Sequence, residues 1–411
     1  MRPSEYAQST PNNEIASLGW FNRRAVDMLH RALDGQVVGR LTIQLPSGSL
    51  LDFGQTNQDD HHAIIILKSY AALRRLIRGG SIGFAEGFMD GEWQTPDEVA
   101  VIRWALVNEN LVSNLLKGHP ILQLFNRLSH LGRANTKRGS RKNISYHYDL
   151  GNDFYAHWLD PTFTYSSALF KDECSLQEAQ LNKYRRICNM LHLQPGQQVL
   201  EIGCGWGGFA EVAAREFGAK VTGITLSKEQ LRFAKDRIAA QGLQSQVDLE
   251  LIDYRDIGGQ YDHIVSIEMF EAVGEEHWPT YFSTLKQRLK PGGKAVLQII
   301  SIANDRFDEY RASADFIQKY IFPGGMLPSP EKLNNEIHKA DLKLTDELLF
   351  GLDYAKTLEI WRRNFLNAWP TISSQANFDD RFKRMWVYYL AYCEGGFREQ
   401  SIDVGLYQIE H

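Results

Sequence analysis

Val199-Leu200-Glu201-Ile202-Gly203-Cys204-Gly205-Trp206-Gly207-Gly208-Phe209-Ala210 is the stretch whose reading decides the fold. Its first residues read as a short buried strand, the glycines as a tight turn, and the residues after Gly207 as the first turn of a helix. Gly203, Gly205 and Gly207 leave the backbone bare where something must come very close to it. A glycine turn between strand and helix belongs to doubly wound α/β folds, which hold cofactors beyond the carboxyl ends of their strands. The spacing Gly-x-Gly-x-Gly departs from the dinucleotide pattern Gly-x-Gly-x-x-Gly, and Glu201 sits inside the strand. Turn geometry alone also selects glycine, so the flanking chain carries the reading.

Downstream, strands and helices alternate. Gln177 to His192 is an amphipathic helix, and Phe209 to Phe217 is the helix after the glycine turn. Lys220–Ile224, Val247–Ile252 and Tyr261–Ile267 read as strands, with a helix from Lys228 to Gly242 between the first two. After Leu289-Lys290-Pro291-Gly292-Gly293 comes a fifth strand, Lys294–Ile300. Late strands at Leu342–Leu349 and Ile402–Ile409 complete a mostly parallel seven-stranded sheet with helices on both faces. Asn304–Ser329 and Tyr354–Tyr392 are aromatic-rich and mainly helical, which suits an inserted lid over a substrate.

Upstream, Met1 to Asn13 is polar and expected to be disordered. Ser17–Leu33 has helical apolar spacing, Gly39–Gly54 reads as a β-hairpin, and Ala63–Leu67 as a further strand. Ser69–Gly79 and Thr95–Asn114 look helical, the second with Thr95 as cap and Pro96 at its first position. Gly80 to Trp93 carries too many glycines for a regular helix. Residues 1–130 read as a small α+β accessory domain, and 131–411 as the catalytic domain.

The chain has 411 residues, enough for two or three domains, and its hydrophobic and charged contents of 43% and 23% are those of a globular protein. A net charge of −5 argues against nucleic acid as partner. Cys174, Cys188, Cys204 and Cys393 are scattered, so neither a metal site nor a disulfide framework is expected, and a reducing cytoplasm fits. No signal peptide is read near Met1, and Ala63–Leu67 is too short to span a bilayer, so work on lipid means visiting the membrane surface. Lys117, Arg127, Arg133, Lys137, Arg138, Arg141 and Lys142 form a basic stretch without acids. It reads either as a solvated linker or as attraction to an anionic membrane at roughly 1 kcal/mol per residue. Ile121, Leu122, Leu124, Phe125 and Leu128 suit an interfacial helix there, and equally a helix packed between domains.

Groups able to hold a cofactor converge at the carboxyl edge of the sheet. Thr225, Leu226 and Ser227 follow the second strand, where a nucleoside ribose would lie, and Gln230 is in the next helical turn. Asp253-Tyr254-Arg255 follows the third strand and suits an adenine. Ile267-Glu268-Met269-Phe270-Glu271 ends the fourth. Strand-end acids are often plain helix caps; the whole series in this order is not.

The glycine loop with Glu201 in its strand resembles the S-adenosylmethionine loop of Rossmann-like class I methyltransferases. More narrowly, the chain resembles the cyclopropane fatty acid synthase family, which includes the mycolic acid cyclopropane synthases and related lipid C-methyltransferases. The motifs are Tyr146-His147-Tyr148-Asp149, Asn152-Asp153-Phe154-Tyr155, Tyr165-Ser166-Ser167, the loop from Leu200 to Gly207, Gly223-Ile224-Thr225-Leu226-Ser227, Ser266 to Glu271, Tyr320 to Gly325 with Leu327-Pro328-Ser329, and Asp353 to Leu358. The resemblance implies methylene transfer from S-adenosylmethionine to a cis double bond in a phospholipid acyl chain, giving a cyclopropane. It implies a cofactor site built from Tyr165, Ser166, Glu201, Gly203, Gly205, Thr225, Leu226, Gln230, Asp253, Tyr254, Arg255 and Ile267. His147 would position the cofactor carboxylate or a headgroup, or be a structural histidine. The family also implies lipid binding or dimerisation for the accessory domain of residues 1–130, a possible homodimer and, for a lipid substrate, peripheral association with the inner membrane face.

The chemistry explains these residue types. An alkene is a poor nucleophile, so the sulfonium must be held close and water kept out. Attack leaves a carbocation, which aromatic faces stabilise without being alkylated. In this family the final base is a bound bicarbonate, held by a Glu, a Tyr, a Cys, a His and a backbone group. Glu271 matches the Glu, Tyr354 the Tyr, and Ile300 would supply the backbone group. Ser167 stands where the family has Cys and Gln298 where it has His; both still donate hydrogen bonds to an oxyanion. Glu268 replaces a frequent Gly, and Ala272 a frequent His. These departures support methyl transfer more strongly than ring closure. Proton loss from the new methyl closes a cyclopropane, and loss from a neighbouring chain carbon leaves a methyl-branched alkene. A non-catalytic lipid-binding relative and a methyltransferase for a small soluble acceptor are the readings of other classes. The intact loop, Glu271 and Tyr354 weigh against the first, and the aromatic Phe316–Pro328 segment against the second.

Overall fold

The alternating apolar pattern of the N-terminal strands becomes, in a computed structural model describing residues 19–33, 37–55, 61–112, 150–312, 314–375 and 378–411, one half-buried sheet. The chain divides into two compact units, Met1–Leu128 with Ser313–Phe316 and Ser373–Glu399, and Ser129–Ala312 with Ile317–Ile372 and Gln400–His411. The proposed disorder before Asn13, the basic stretch at 117–142 and His147 lie outside the described residues.

In the first unit, β1 (Arg40–Gln44), β2 (Leu50–Gly54), β3 (His62–Leu67) and β4 (Trp93–Gln94) form a sheet in the order β2-β1-β3-β4. The expected hairpin pairs β1 with β2 antiparallel, Thr42 facing Asp52, and β3 joins β1 in parallel. Leu41, Ile43, Leu51, Phe53, Ala63, Ile65 and Leu67 point to one buried face, as a period of two requires. Two expectations need correction. The glycine-rich segment after Gly79 is helical: the helix Ala71–Met89 passes a kink at Gly80, whose φ of 59° and ψ of −141° suit glycine alone. Gly83 then runs against the preceding turn, where a Cβ would stand 2.2 Å from the Arg75 carbonyl oxygen, so the glycines permit a close fold-back. The helix Glu98–Val107 is capped by Asp97, which accepts from the Ala100 amide at 3.0 Å, while Thr95 hydrogen-bonds Asp97.

The helix Asp380–Arg398, expected to cover a substrate, belongs to this same unit. Gly395 lets it approach the helix Glu98–Val107, where a Cβ would lie 2.7 Å from Ile102 Cγ2. Among the described residues, no helix is long and apolar enough to cross a membrane.

In the second unit, β5 (Gln198–Ile202), β6 (Lys220–Thr225), β7 (Val247–Leu251), β8 (Tyr261–Ile267), β9 (Leu289–Ile302), β10 (Lys343–Leu349) and β11 (Ile402–Glu410) make the seven-stranded sheet. Its order is β10-β11-β9-β8-β5-β6-β7. β5 through β9 pair in parallel and β10 and β11 antiparallel, so the sheet is mostly parallel as expected. Leu200, Ile264, Val265, Leu297 and Ile299 are wholly buried in its centre, where helices cover both faces and the strands carry continuous apolar runs. β9 starts earlier than expected, at Leu289. The register against β8 shifts between Tyr261 and His263, and that irregularity accommodates Pro291-Gly292-Gly293.

Candidate active site

The chain leaves β5 toward β6 and β7 on one side, whereas β8 and β9 lie on the other. Such a switch point opens a crevice at the carboxyl ends of the strands. The glycine loop leaves β5 there, with Gly203, Gly205 and Gly207 all in the left-handed region at φ of 84°, 51° and 81°. The Gly203 and Cys204 amides both donate to the Ile224 carbonyl at 2.9 Å, which ties the loop to β6. A Cβ on Gly205 would meet no atom within 4 Å, so that backbone borders open space, and one on Gly203 would stand 3.0 Å from Met269 Cγ. The helix Gly208–Phe217 starts directly behind, its first turn at the loop. This bare cradle fits the adenosyl and methionyl parts of S-adenosylmethionine.

The other expected cofactor residues line the same edge. Glu201 is buried in β5, which pushes its carboxyl up to about 8 despite Arg237 and the Ala210 amide. Its Oε2 has no hydrogen-bond partner among the described residues. Thr225 donates to Gln230 Oε1 and accepts from the Ser227 amide, each at 3.1 Å, and Ser227 caps the helix Lys228–Ala240. Leu226 and Ile267 are half-buried at the ends of β6 and β8. Asp253 is gripped by Arg255 through the backbone amide at 3.0 Å, Nε at 2.8 Å and Nη2 at 2.7 Å. The Arg255 guanidinium lies over the Tyr254 ring, 5.4 Å from its centroid.

Across the switch, Glu268 directly follows β8, and its φ of 49° is unusual for a residue with a side chain. Its carboxylate collects three donors. Oε1 accepts from the Ser167 amide at 2.8 Å and Gln298 Nε2 at 2.7 Å, and Oε2 accepts from the Tyr354 hydroxyl at 2.7 Å. The structure thus brings together Ser167, Gln298 and Tyr354 as expected, but around Glu268. Ser167 contributes through its backbone, a correction, because its hydroxyl donates to the Ala168 carbonyl at 3.0 Å. Ile300 supplies a backbone amide, and it donates to Glu271 Oε1 at 2.6 Å. Glu271 Oε2 is buried without a partner among the described residues.

These donors were expected to hold a bicarbonate. They do not fit one here, because the Glu268 carboxylate already takes Ser167, Gln298 and Tyr354 and the Glu271 carboxylate takes the Ile300 amide.

Burial and the neighbouring Glu268 push Glu271 up to about 8. Burial also pushes Glu268 up, opposed by Lys183, Tyr354, Ser167 and Gln298. Both residues keep part of their surface accessible. Beside them stands an aromatic wall. Trp361 meets Tyr354 edge-on at 6.2 Å and lies 5.4 Å from Tyr165, which neighbours Tyr155 at 5.4 Å and Trp158 at 5.5 Å. Ser166, next to Tyr165, accepts from Lys183 Nζ at 2.5 Å. The Pro-Gly-rich segment docks under Glu271 through the Met326 amide, which donates to the Glu271 carbonyl at 2.8 Å. Carboxylates facing aromatic rings suit a reaction that develops positive charge on carbon and then loses a proton.

Reading the sequence missed Glu268 and Lys183 as site residues. The signal for the first was an acid at a position where the resembling family has Gly. For the second it was a lysine in the inward stripe of the helix Leu176–Met190.

The family described as mycolic acid cyclopropane synthetase matches residues 135–408. The tuberculostearic acid methyltransferase UfaA1 of Mycobacterium tuberculosis is 40% identical over 353 residues, covering 83% of this chain and 82% of that protein. The cyclopropane-fatty-acyl-phospholipid synthase of Escherichia coli is 39% identical over 350 residues, covering 84% and 87%. Among solved structures, mycolic acid cyclopropane synthase CmaA1 complexed with SAH and CTAB superposes with a TM-score of 0.61 at 31% identity, covering 66% of this chain and 98% of that one.

Proposed function

The chain belongs to the mycolic acid cyclopropane synthetase family of S-adenosylmethionine-dependent methyltransferases, and from that premise we propose that it methylates the cis double bond of an unsaturated phospholipid acyl chain, with Glu268 taking the released proton. The observation that carries this reading is the Glu268 carboxylate, seated on the Ser167, Gln298 and Tyr354 donors beside an aromatic wall. S-adenosylmethionine, when bound, supplies the methyl group. Gly203, Gly205, Thr225 and Gln230 would hold it at the sheet edge, with Tyr165 and Ser166 beside it. Tyr354 and Trp361 shield the cation that forms on the neighbouring carbon, and the negative Glu268 stabilises it through space. A hydrogen next to such a cation is far more acidic than a carboxylic acid, so the position of the base matters more than its strength.

The hydrogen that Glu268 takes decides the product. Removal from the added methyl closes a cyclopropane, in keeping with the name of the Escherichia coli relative. Removal from the chain leaves a methyl-branched alkene. That second reading is favoured by a tethered carboxylate where the resemblance implies a free anion. The test is incubation with S-adenosylmethionine and vesicles of cis-monounsaturated phospholipid, followed by mass spectrometry and proton NMR of the lipid. A gain of one CH₂ on the unsaturated chains supports methyl transfer, and no gain refutes it. Upfield ring signals identify the cyclopropane, and vinyl-methyl signals identify the branched product.

The partner would be an anionic membrane surface, approached from the cytoplasm. In the first unit the helix Trp20–Leu33 buries Ala25, Val26, Leu29 and Leu33 and exposes Trp20, Arg23, Arg24 and Arg31. Arg24 lies over the Trp20 ring, 5.2 Å from its centroid, a basic-aromatic face suited to lipid headgroups. Co-sedimentation with anionic but not neutral vesicles tests this, and light scattering tests the homodimer the family suggests.

A further inference from the structure

Lys183 sits where its helix should place an apolar residue. The inward stripe of Leu176–Met190 runs Leu176, Ala179, Gln180, Lys183, Tyr184 and Ile187, and Lys183 has no exposed surface. A buried ammonium is costly unless it is paired and hydrogen-bonded. Its Nζ donates to Ser166 Oγ at 2.5 Å and lies 4.9 Å from the Tyr184 ring centroid. The same segment is fixed by Gln180, whose Nε2 donates to the Ser166 carbonyl at 2.9 Å.

Burial pushes the Lys183 ammonium down to about 7, opposed by the carboxyls of Glu268 and Asp160, and the Ser166 it bonds adjoins Ser167, whose amide holds Glu268. Asp160 lies before the segment and accepts from the Thr162 amide at 2.8 Å, and its own burial drives it toward the neutral form. Glu268 is faced by the Tyr354 hydroxyl, the Ser167 amide and Gln298 Nε2, and by the repelling carboxyl of Glu271. Three hydrogen bonds and the charge of Lys183 favour its ionised form, while burial opposes it.

We infer that Lys183 is a positioning residue that holds Glu268 as a carboxylate, and that its bond to Ser166 ties this charge state to the segment facing the cofactor. The inference rests on Glu268 as the proton acceptor. At rest the pair is one ammonium and one carboxylate. When Glu268 takes a proton from the methylated chain, the pair gains one positive charge, and it returns to rest by releasing one proton to solvent.

The test reads ionisation directly. An infrared titration identifies the Glu268 carboxyl band as the one lost in E268Q. In K183M, a near-isosteric apolar change, the midpoint of that band should rise by about 1–3 pH units. Methyl transfer to vesicles should then fall by about tenfold for each unit at low pH and recover at high pH, and K183R should restore the wild-type profile. Should K183M fail to fold, ¹⁵N-lysine NMR of E268Q serves instead, with the Lys183 midpoint falling by a similar amount. A Glu268 band unmoved in K183M, or a Lys183 midpoint unmoved in E268Q, overturns the inference even if the wild type transfers methyl. A wild type without methyl transfer sinks the proposed function, and the ionisation readouts still decide the Lys183–Glu268 coupling.

Discussion

Replacing Glu268 by Gly tests the site most directly. The φ of 49° at this position costs a residue with a side chain roughly 1–2 kcal/mol, which Gly does not incur. That gain is offset by roughly 0.5–1 kcal/mol of extra chain entropy in the unfolded Gly variant. The larger change is at the donors. The Ser167 amide, Gln298 Nε2 and the Tyr354 hydroxyl lose their acceptor, at about 1–3 kcal/mol for a group left dry and less where water enters. Net stability should fall by about 1–3 kcal/mol. Activity should fall far more, because a positioned proton acceptor contributes about 10²–10⁴-fold, or about 2.7–5.5 kcal/mol in barrier. The emptied cluster is then a ready site for a small oxyanion, so formate or bicarbonate should restore part of the rate to E268G. The wild type should not respond to either. The assay is transfer of labelled methyl to unsaturated phospholipid vesicles in bicarbonate-free buffer, with and without added anion. A wild type that loses activity without bicarbonate, or an E268G variant as fast as wild type without any anion, refutes the reasoning.

Other substitutions probe separate parts of the structure. In the folded state Glu271 is pushed from 4.5 to about 8, so through that window the folded chain keeps a proton the unfolded chain has released. Stability should therefore fall as pH rises from 5 to 8, by up to about 1.4 kcal/mol per unit from this group. E271Q should flatten that slope in urea denaturation curves measured across the range, and an unchanged slope rejects the assignment. G205A introduces a Cβ into the open cradle at a φ of 51°, and calorimetry should show S-adenosylmethionine binding weakened by about tenfold or more for a stability loss of roughly 1–2 kcal/mol. In the first unit, buried Asn108 accepts from the Val38 amide at 2.8 Å and donates to the Val38 carbonyl at 3.0 Å. N108A strands both groups and should cost about 1–3 kcal/mol by thermal denaturation, and a loss below about 0.5 kcal/mol would show that water replaces the amide.

The sheet was legible because its signals are local. The central strands are largely apolar runs closed by glycine or polar residues, while β7 alternates and β10 is mostly polar, and the observed limits of β5, β6, β7, β8, β10 and β11 fall within a residue or two of those read. The misreadings share a cause. Gly80 to Met89 was denied a helix because glycine lowers propensity, yet packing of the fold-back outweighs a local penalty of about 1 kcal/mol per residue. The helix Asp380–Arg398 was assigned to the lid because it is aromatic, but its small residues, Gly395 among them, fit it to the N-terminal sheet unit. Composition does not say which face of the molecule a helix will cover.

At the site, the family resemblance pointed to Glu271, Tyr354, Ser167, Gln298 and Ile300, and their convergence follows from their places in the turn after β8, within β9, in the loop before the helix Leu176–Met190 and on the first turn of the helix Gly351–Gln375. Which carboxylate the donors would serve was beyond a one-dimensional reading. The side chains of Glu268 and Glu271 are three residues apart, and only the left-handed backbone at Glu268 turns its carboxylate onto Ser167, Gln298 and Tyr354 while Glu271 meets the Ile300 amide. The amino-acid order by itself determined the sheet and the glycine cradle, because these rest on periodicity and on glycine, and the family resemblance in its motifs supplied the adenosyl donor and the chemistry on offer. Tertiary packing decided which acid is seated as the base and that a buried lysine stands behind it, because hydrogen bonds and charge act through space between residues up to 101 positions apart.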